Sequence, residues 1–184
     1  VLTNVVRTVQ GPITPTLGNT LTRALKQLNG TLLDGSNQAV PNEAGPGPLA
    51  DGSHVKPAVS FDFAGLPVLG FSTELFPGIP GTGVHYSNFV VEAVAFLELN
   101  AGTHTLGMAV SADRTDANDD DGYVVFSGVN LRSFFATRVG AYQRTVTQPF
   151  QSNQLNTNYF TFVAPVEGLY PFRVVYWQTG LGFN

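Results

Sequence analysis

The stretch FVVEAVAFLEL, running from Phe89 to Leu99, decides the fold. Phe89, Val91, Ala93, Ala95, Leu97 and Leu99 line one side of an extended chain, with Glu92 and Glu98 on the other, because side chains alternate across a β-strand. Two carboxylates in so short an apolar run exclude a membrane-spanning helix, which needs about 20 apolar residues. A tight turn at Asn100, Ala101 and Gly102 follows, and His104 to Val110 reads as a returning strand. The two are expected to pair as an antiparallel hairpin.

Working outward, Tyr123 to Ser127, Leu131 to Val139 and Tyr159 to Ala164 are expected as further strands. Leu169 to Trp177 alternates well, with Tyr170, Phe172, Val174 and Tyr176 on one face and Arg173 on the other. Pro57 to Phe63 and Val68 to Phe71 are short strand candidates. Val1 to Gln10, rich in Val and Thr and closed by the breaker Gly11-Pro12, reads as a strand or an extended arm. Leu21, Leu25 and Leu28 fall at helical spacing between an N-cap at Thr20 and a stop at Gly30, which predicts one short helix. Asp34 to Lys56 has almost no bulky apolar residue and is expected to be a long surface loop. The expected architecture is all-β: an antiparallel β-sandwich or jelly roll with one short N-terminal helix. Residues 1–33 form an arm and helix packed on or extending from a sandwich of residues 34–184, a single domain overall.

Composition agrees and narrows the function classes. Of the 184 residues, 43% are hydrophobic, enough for a core without disulfides or metals; 20 Gly and 12 Pro supply frequent turns. Only 12% are charged, so the surface is neutral and polar. The net charge is −4, and Lys26, Lys56 and seven scattered arginines offer no basic stripe for a phosphate backbone, which excludes nucleic acid as the expected partner. Cysteine is absent, removing thiolate metal sites and thiol nucleophiles together. A chain beginning at Val1 rather than Met is expected to be a processed secreted protein or an excised domain, and secretion is favoured.

Four pieces, in order, carry a family resemblance: Ser87 to Gly102, then Met108-Ala-Val-Ser111, then Asp119-Asp-Asp-Gly-Tyr123, then Ala164-Pro-Val-Glu-Gly-Leu-Tyr-Pro-Phe-Arg-Val-Val-Tyr-Trp-Gln178. Over residues of about 85–184 the chain resembles the PA14-type β-sandwich family, a module of bacterial extracellular proteins. The resemblance implies a β-sandwich and a calcium-binding turn. Two departures stand out. The family's compact Ser-Asp-Asp-Gly turn is split here, Ser111 and Asp113 standing apart from Asp120, Asp121 and Gly122. The family's last strand is also missing after the Gly-rich end, which is expected to leave an unpaired edge that templates another chain.

The acidic run Asp113, Asp116, Asp119, Asp120 and Asp121 puts five of 13 carboxylates within nine positions, and such crowding is costly unless a cation lies among them. Calcium suits these oxygen donors, and together with the resemblance this points to Ca²⁺ ligation by Asp120 and Asp121 with Asp113 or Asn118. An EF-hand is excluded, because Asp121 stands where its Gly is required and Ser127 where its last Glu is. A solvated turn is the alternative reading. His54, His85 and His104 are isolated, which argues against zinc, and no serine sits in a Gly-x-Ser-x-Gly elbow. Among the aromatics Tyr123, Tyr142 and Tyr176 are expected in the core, leaving Trp177 as the exposed candidate for stacking a ligand.

Two functions follow as expectations, both non-catalytic and extracellular or cell-surface. One is a structural or adhesive subunit whose arm Val1 to Gln10 adds as a strand to another copy of itself, giving calcium-stabilised filaments. The alternative is a calcium-dependent carbohydrate-binding module with glycans as partners. If calcium is held as expected, saturating it at 100 times Kd stabilises by about 2.7 kcal/mol, or roughly 5 to 10 °C in Tm for a chain of this size. Calorimetry with calcium and after chelation reads this, and Asp120→Asn with Asp121→Asn abolishes it; an unchanged Tm leaves the run a solvated turn.

Overall fold

The computed structural model describes residues 3–12, 20–62, 73–82, 85–112, 122–133, 135–143 and 154–178. In chain order the elements are β1 (Asn4–Gln10), α1 (Leu21–Leu28), β2 (His54–Lys56), β3 (Phe61–Asp62), β4 (Glu74–Leu75), β5 (Phe89–Leu99) and β6 (Gly102–Ala112). They continue with β7 (Gly122–Ser127), β8 (Thr137–Gln143), β9 (Gln154–Ala164) and β10 (Gly168–Gln178). A six-stranded antiparallel sheet runs β2-β1-β5-β10-β7-β8, and β6 and β9 form a separate antiparallel ribbon; β3 and β4 make a two-residue parallel pair. The molecule is an all-β sandwich with one short helix.

Local signals set the helix. The Thr20 side chain accepts a hydrogen bond from the Arg23 amide at 3.2 Å, and Gly30, at φ 66°, turns the chain out after Asn29. Its apolar side, Leu21, Ala24, Leu25 and Leu28, packs on Val90, Val124, Val175 and Trp177 of the large sheet. The opposite face of that sheet, carrying Tyr123, Val125 and Phe172, packs on Val110, Leu106, Met108, Phe160 and Phe162 of the ribbon. A third cluster, Val6, Phe89, Val91 and Ala93, is closed by Phe76 and Ile79 from the connection before β5. The middle of the large sheet is therefore covered on both faces, and there its central strands are apolar on both sides rather than on one.

Double burial corrects several sequence expectations. Trp177 is not an exposed platform: it is 1% exposed, because the face it shares with Val175 and Arg173 lies under α1. Gly122, its partner across the β7–β10 pair, makes room for it, and a Cβ there would fall inside the contact distance of the indole ring. The predicted β5–β6 hairpin does not form, since β5 pairs with β1 and β10 while β6 pairs with β9; the turn at Asn100–Gly102 carries the chain from one sheet to the other. Of the predicted strand from Leu131 to Val139, only the part from Thr137 is strand, and Leu131 to Ser133 form a turn. The last described strand is no edge either, as β10 lies between β5 and β7. Nor is the N-terminal segment a free arm, because β1 lies between β2 and β5 with six residues in register against β5. The expected strand at Val68 to Phe71 lies outside the described residues.

Glu92 is the largest departure. Its alternation placed it opposite the apolar side, yet it is 1% exposed, because the helix-bearing face is interior too. Arg173 of β10 donates to Oε1 through Nε at 2.7 Å, and Arg132, from the turn after β7, donates through Nε at 3.1 Å and Nη2 at 2.6 Å. Arg7 of β1 adds its charge 3.4 Å from Oε2. Burial pushes the Glu92 carboxyl up, but the Arg132 hydrogen bond and the charges of Arg173, Arg7 and Arg132 outweigh it and hold the group below its ordinary range. Burial lowers Arg173, with repulsion from Arg132 and Arg7 adding to it, against the attraction of Glu92.

Two substitutions test this packing. Gly122→Ala forces the buried indole aside and is expected to cost about 1–3 kcal/mol, whereas Gly168→Ala, with open space at its Cβ, is near neutral. Chemical denaturation measures both. Glu92→Gln strands buried guanidinium charge and is expected to cost about 3–5 kcal/mol. The folded Glu92 titrates below its ordinary 4.5, so its contribution is whole above that value and is lost as pH falls through the folded value. Denaturation midpoints from pH 7 to 3 should therefore fall more steeply for the wild type than for Glu92→Gln.

Candidate functional site

The two strands of the ribbon, GTHTLGMAVSA and QLNTNYFTFVA, contain no charged residue. Alternation turns Leu106, Met108, Phe160 and Phe162 into the sandwich. It leaves Thr103, Thr105, Gly107 and Ala109 of β6 exposed beside Thr157, Tyr159, Thr161 and Val163 of β9. Across the pair, Thr103 faces Val163, Thr105 faces Thr161, Gly107 faces Tyr159 and Ala109 faces Thr157.

Tyr159 is the feature of this face. It is 73% exposed, yet its ring leans across the strand onto Gly107: a Cβ at Gly107 would lie 3.1 Å from both Cδ1 and Cε1. With no side chain at Gly107, the Cδ1–Cε1 edge of the ring finds room across the strand pair while most of the side chain stays in water. Four threonines surround it on the same face. Each hydroxyl both donates and accepts, so the surface offers a flat apolar ring within a field of neutral hydrogen-bonding groups.

A second polar cluster has the composition of a hydrolytic triad but not its access. Ser87 Oγ lies 3.4 Å from His85 Nδ1, and His85 Nε2 lies 3.1 Å from a Glu43 carboxylate oxygen. Ser87 is wholly buried, so no substrate reaches its hydroxyl. The cluster instead secures the buried Gln10 side chain, which donates to the carbonyls of His85 and Ser87 and accepts from the Gly81 amide. This arrangement ties β1 to the connection preceding β5.

The sequence candidates fare unevenly. Asp113, Asn118, Asp120 and Asp121 lie outside the described residues, which contain no group of three or more His, Cys, Asp or Glu suited to a metal. Trp177 is in the core, as are Tyr123 and, partly, Tyr176. His54, His85 and His104 lie on separate elements or loops, and His85 contacts Glu43 and Ser87. Tyr159 is not among the sequence candidates, although the sequence carries a signal for it: it has the opposite parity to Phe160 and Phe162, the two residues that mark the inward side of β9.

No protein-family model matches the chain, and no curated protein matches it. Among solved structures, a chain described as "Structure of infectious bursal disease virus Gx strain" aligns with 100% of this chain and 48% of its own length, at 10% identity and a TM-score of 0.21. This chain thus spans about half of that one. A TM-score so low carries no argument about fold or function.

Proposed function

We propose that the chain is a non-catalytic, extracellular carbohydrate-binding module that seats a neutral sugar ring on the outer face of the β6–β9 ribbon. The observation that carries this reading is Tyr159, open to solvent with Cδ1 and Cε1 of its ring against Gly107. The C–H face of a pyranose stacks on such a ring, while its rim hydroxyls exchange hydrogen bonds with Thr103, Thr105, Thr157 and Thr161. Lack of charge on both strands suits a neutral ligand, since no ionised group has to be desolvated on binding. The PA14-type resemblance points the same way. Calcium at Asp113, Asn118, Asp120 and Asp121 belongs to this proposal as a stabiliser of the segment that directly follows β6.

Assembly with copies of itself by strand addition ranks second. β1 already pairs on both sides within its own chain, so its donation to a neighbour would require exchange of the strand rather than addition of a free arm.

A neutral-glycan array, followed by affinity electrophoresis in the polysaccharide that scores, tests the platform. Tyr159→Ala is expected to weaken retention at least tenfold, the equivalent of about 1.4 kcal/mol, with Tm unchanged. Gly107→Val, which lifts the ring off the strand, should weaken it as well. Silence of the wild type across neutral glycans ends the carbohydrate reading, whereas equal binding by wild type and Tyr159→Ala moves the site elsewhere.

A further inference from the structure

The cluster around Glu92 holds more positive charge than it can use. Three guanidiniums, Arg7, Arg132 and Arg173, converge on one carboxylate. Both Glu92 oxygens are already engaged, Oε1 by the Nε atoms of Arg173 and Arg132 and Oε2 by Nη2 of Arg132. Arg7 reaches Oε2 only as an ion pair at 3.4 Å, and its Nε is buried without a hydrogen-bond partner. A further carboxylate, the exposed Asp51, acts on Arg7 and Arg132 through its charge, while it accepts a hydrogen bond from the Ser53 amide. A guanidinium placed as that of Arg7 is costly, because its Nε–H has left water without finding an acceptor among the described residues.

The cluster is also open on one side. Arg173 is buried and lies 5.6 Å over the Phe126 ring, so it belongs to the interior. Arg132, in contrast, is 57% exposed at its side chain and Arg7 27%, and their Nη2 atoms flank the same oxygen. Beside them on this face of the sheet, Val5 and Phe96 are exposed and Val94 is half-buried. The cross-strand register sets Val5 against Val94 and Arg7 against Glu92. The result is a pair of guanidiniums with free donors next to an apolar shelf, in a chain whose net charge is −4.

We propose that Arg7 and Arg132 form a binding site for an oxyanion, a carboxylate or sulfate carried on a ligand whose apolar part rests on Val5, Val94 and Phe96. Guanidinium forks match the paired oxygens of such groups and bind them with charge-assisted hydrogen bonds. Arg132 holds Glu92 through Nε and Nη2 and keeps Nη1 for the ligand, while Arg7, part-exposed, offers its Nη donors to the same group. Glu92 and Arg173 act as positioning residues, fixing the two guanidiniums without touching the ligand. This site lies on the helix-bearing side of the large sheet, away from the ribbon, and does not depend on the sugar platform.

Titrations of sodium sulfate, sodium acetate and sodium glucuronate, each at constant ionic strength held with sodium chloride, are followed through the arginine Nε–H signals in ¹H–¹⁵N spectra. At least one of the three is expected to shift the Arg7 and Arg132 signals saturably, and which one saturates tells a tetrahedral from a planar anion. Arg7→Gln should weaken binding at least tenfold, and Arg132→Gln, at a mostly exposed turn residue, serves the same purpose if Arg7→Gln fails to fold. Arg138→Gln, an exposed arginine outside the cluster, should change nothing. Absence of saturable shifts with all three anions, or equal binding by the wild type and the Arg7 or Arg132 variants, overturns the proposal.

Discussion

A single carboxylate inside the large sheet constrains everything around it. Moving an ion of this kind out of water costs several kcal/mol even after relaxation, and one partner is seldom enough to offset it. Glu92 of β5 is met by Arg7 from β1, Arg173 from β10 and Arg132 from the turn after β7. The partners come from the N-terminal strand, the last described strand and a turn between them, so the charge is satisfied only when all three are assembled on β5. An apolar residue at this position would pack on neighbouring strands in several registers, whereas a buried ion accepts only the register that brings the guanidiniums to it. The ion cluster is better understood as a device for specificity than as a source of stability.

The neighbouring part of the same face is settled by shape. Trp177 occupies the space a side chain at residue 122 would fill, and α1 closes over it with Ala24 and Leu28. Because that helix is only eight residues long, it covers one end of the sheet; beyond it the face passes through the ion cluster to the exposed Val5 and Phe96. Helix, ion cluster and apolar shelf thus follow one another along the strands as coverage thins.

How much of this was legible depended on the range of the interactions. Alternation in Phe89 to Leu99 and in Leu169 to Trp177 located β5 and β10 to within a residue, and Thr20 with Gly30 bounded α1, because those signals are local. Whether the second face of a strand meets water is not local. It depends on α1 for Trp177 and on Arg7 and Arg173, more than 80 positions away, for Glu92, so alternation alone marks neither residue as buried. The β5–β6 turn failed for a related reason. Its residues permit a hairpin, but the same turn also lets a chain cross between sheets, and only pairing with β9 decides which occurs. The acidic run contributed charge crowding alone, and its residues lie outside those described.

These constraints also bear on where a neutral ligand can bind. Strand β7, the first half of β5 and the second half of β10 are covered on both sides by helix, ribbon or connecting segments and have no broad neutral face to offer. The ribbon differs, since two strands can bury only their inner side, and the outer side is exposed from Thr103 to Ala109 and from Thr157 to Val163. A solvent-facing sheet surface is commonly protected from association by charged residues, yet this one carries threonine, a glycine and a single aromatic. Threonine keeps the strands extended and solvated without charge, and the Gly107–Tyr159 pair adds a flat apolar spot that fold stability alone does not require to be so exposed. Under the proposed carbohydrate-binding role, this uncharged surface with one exposed ring is the platform on which a neutral, hydroxyl-rich partner would stack.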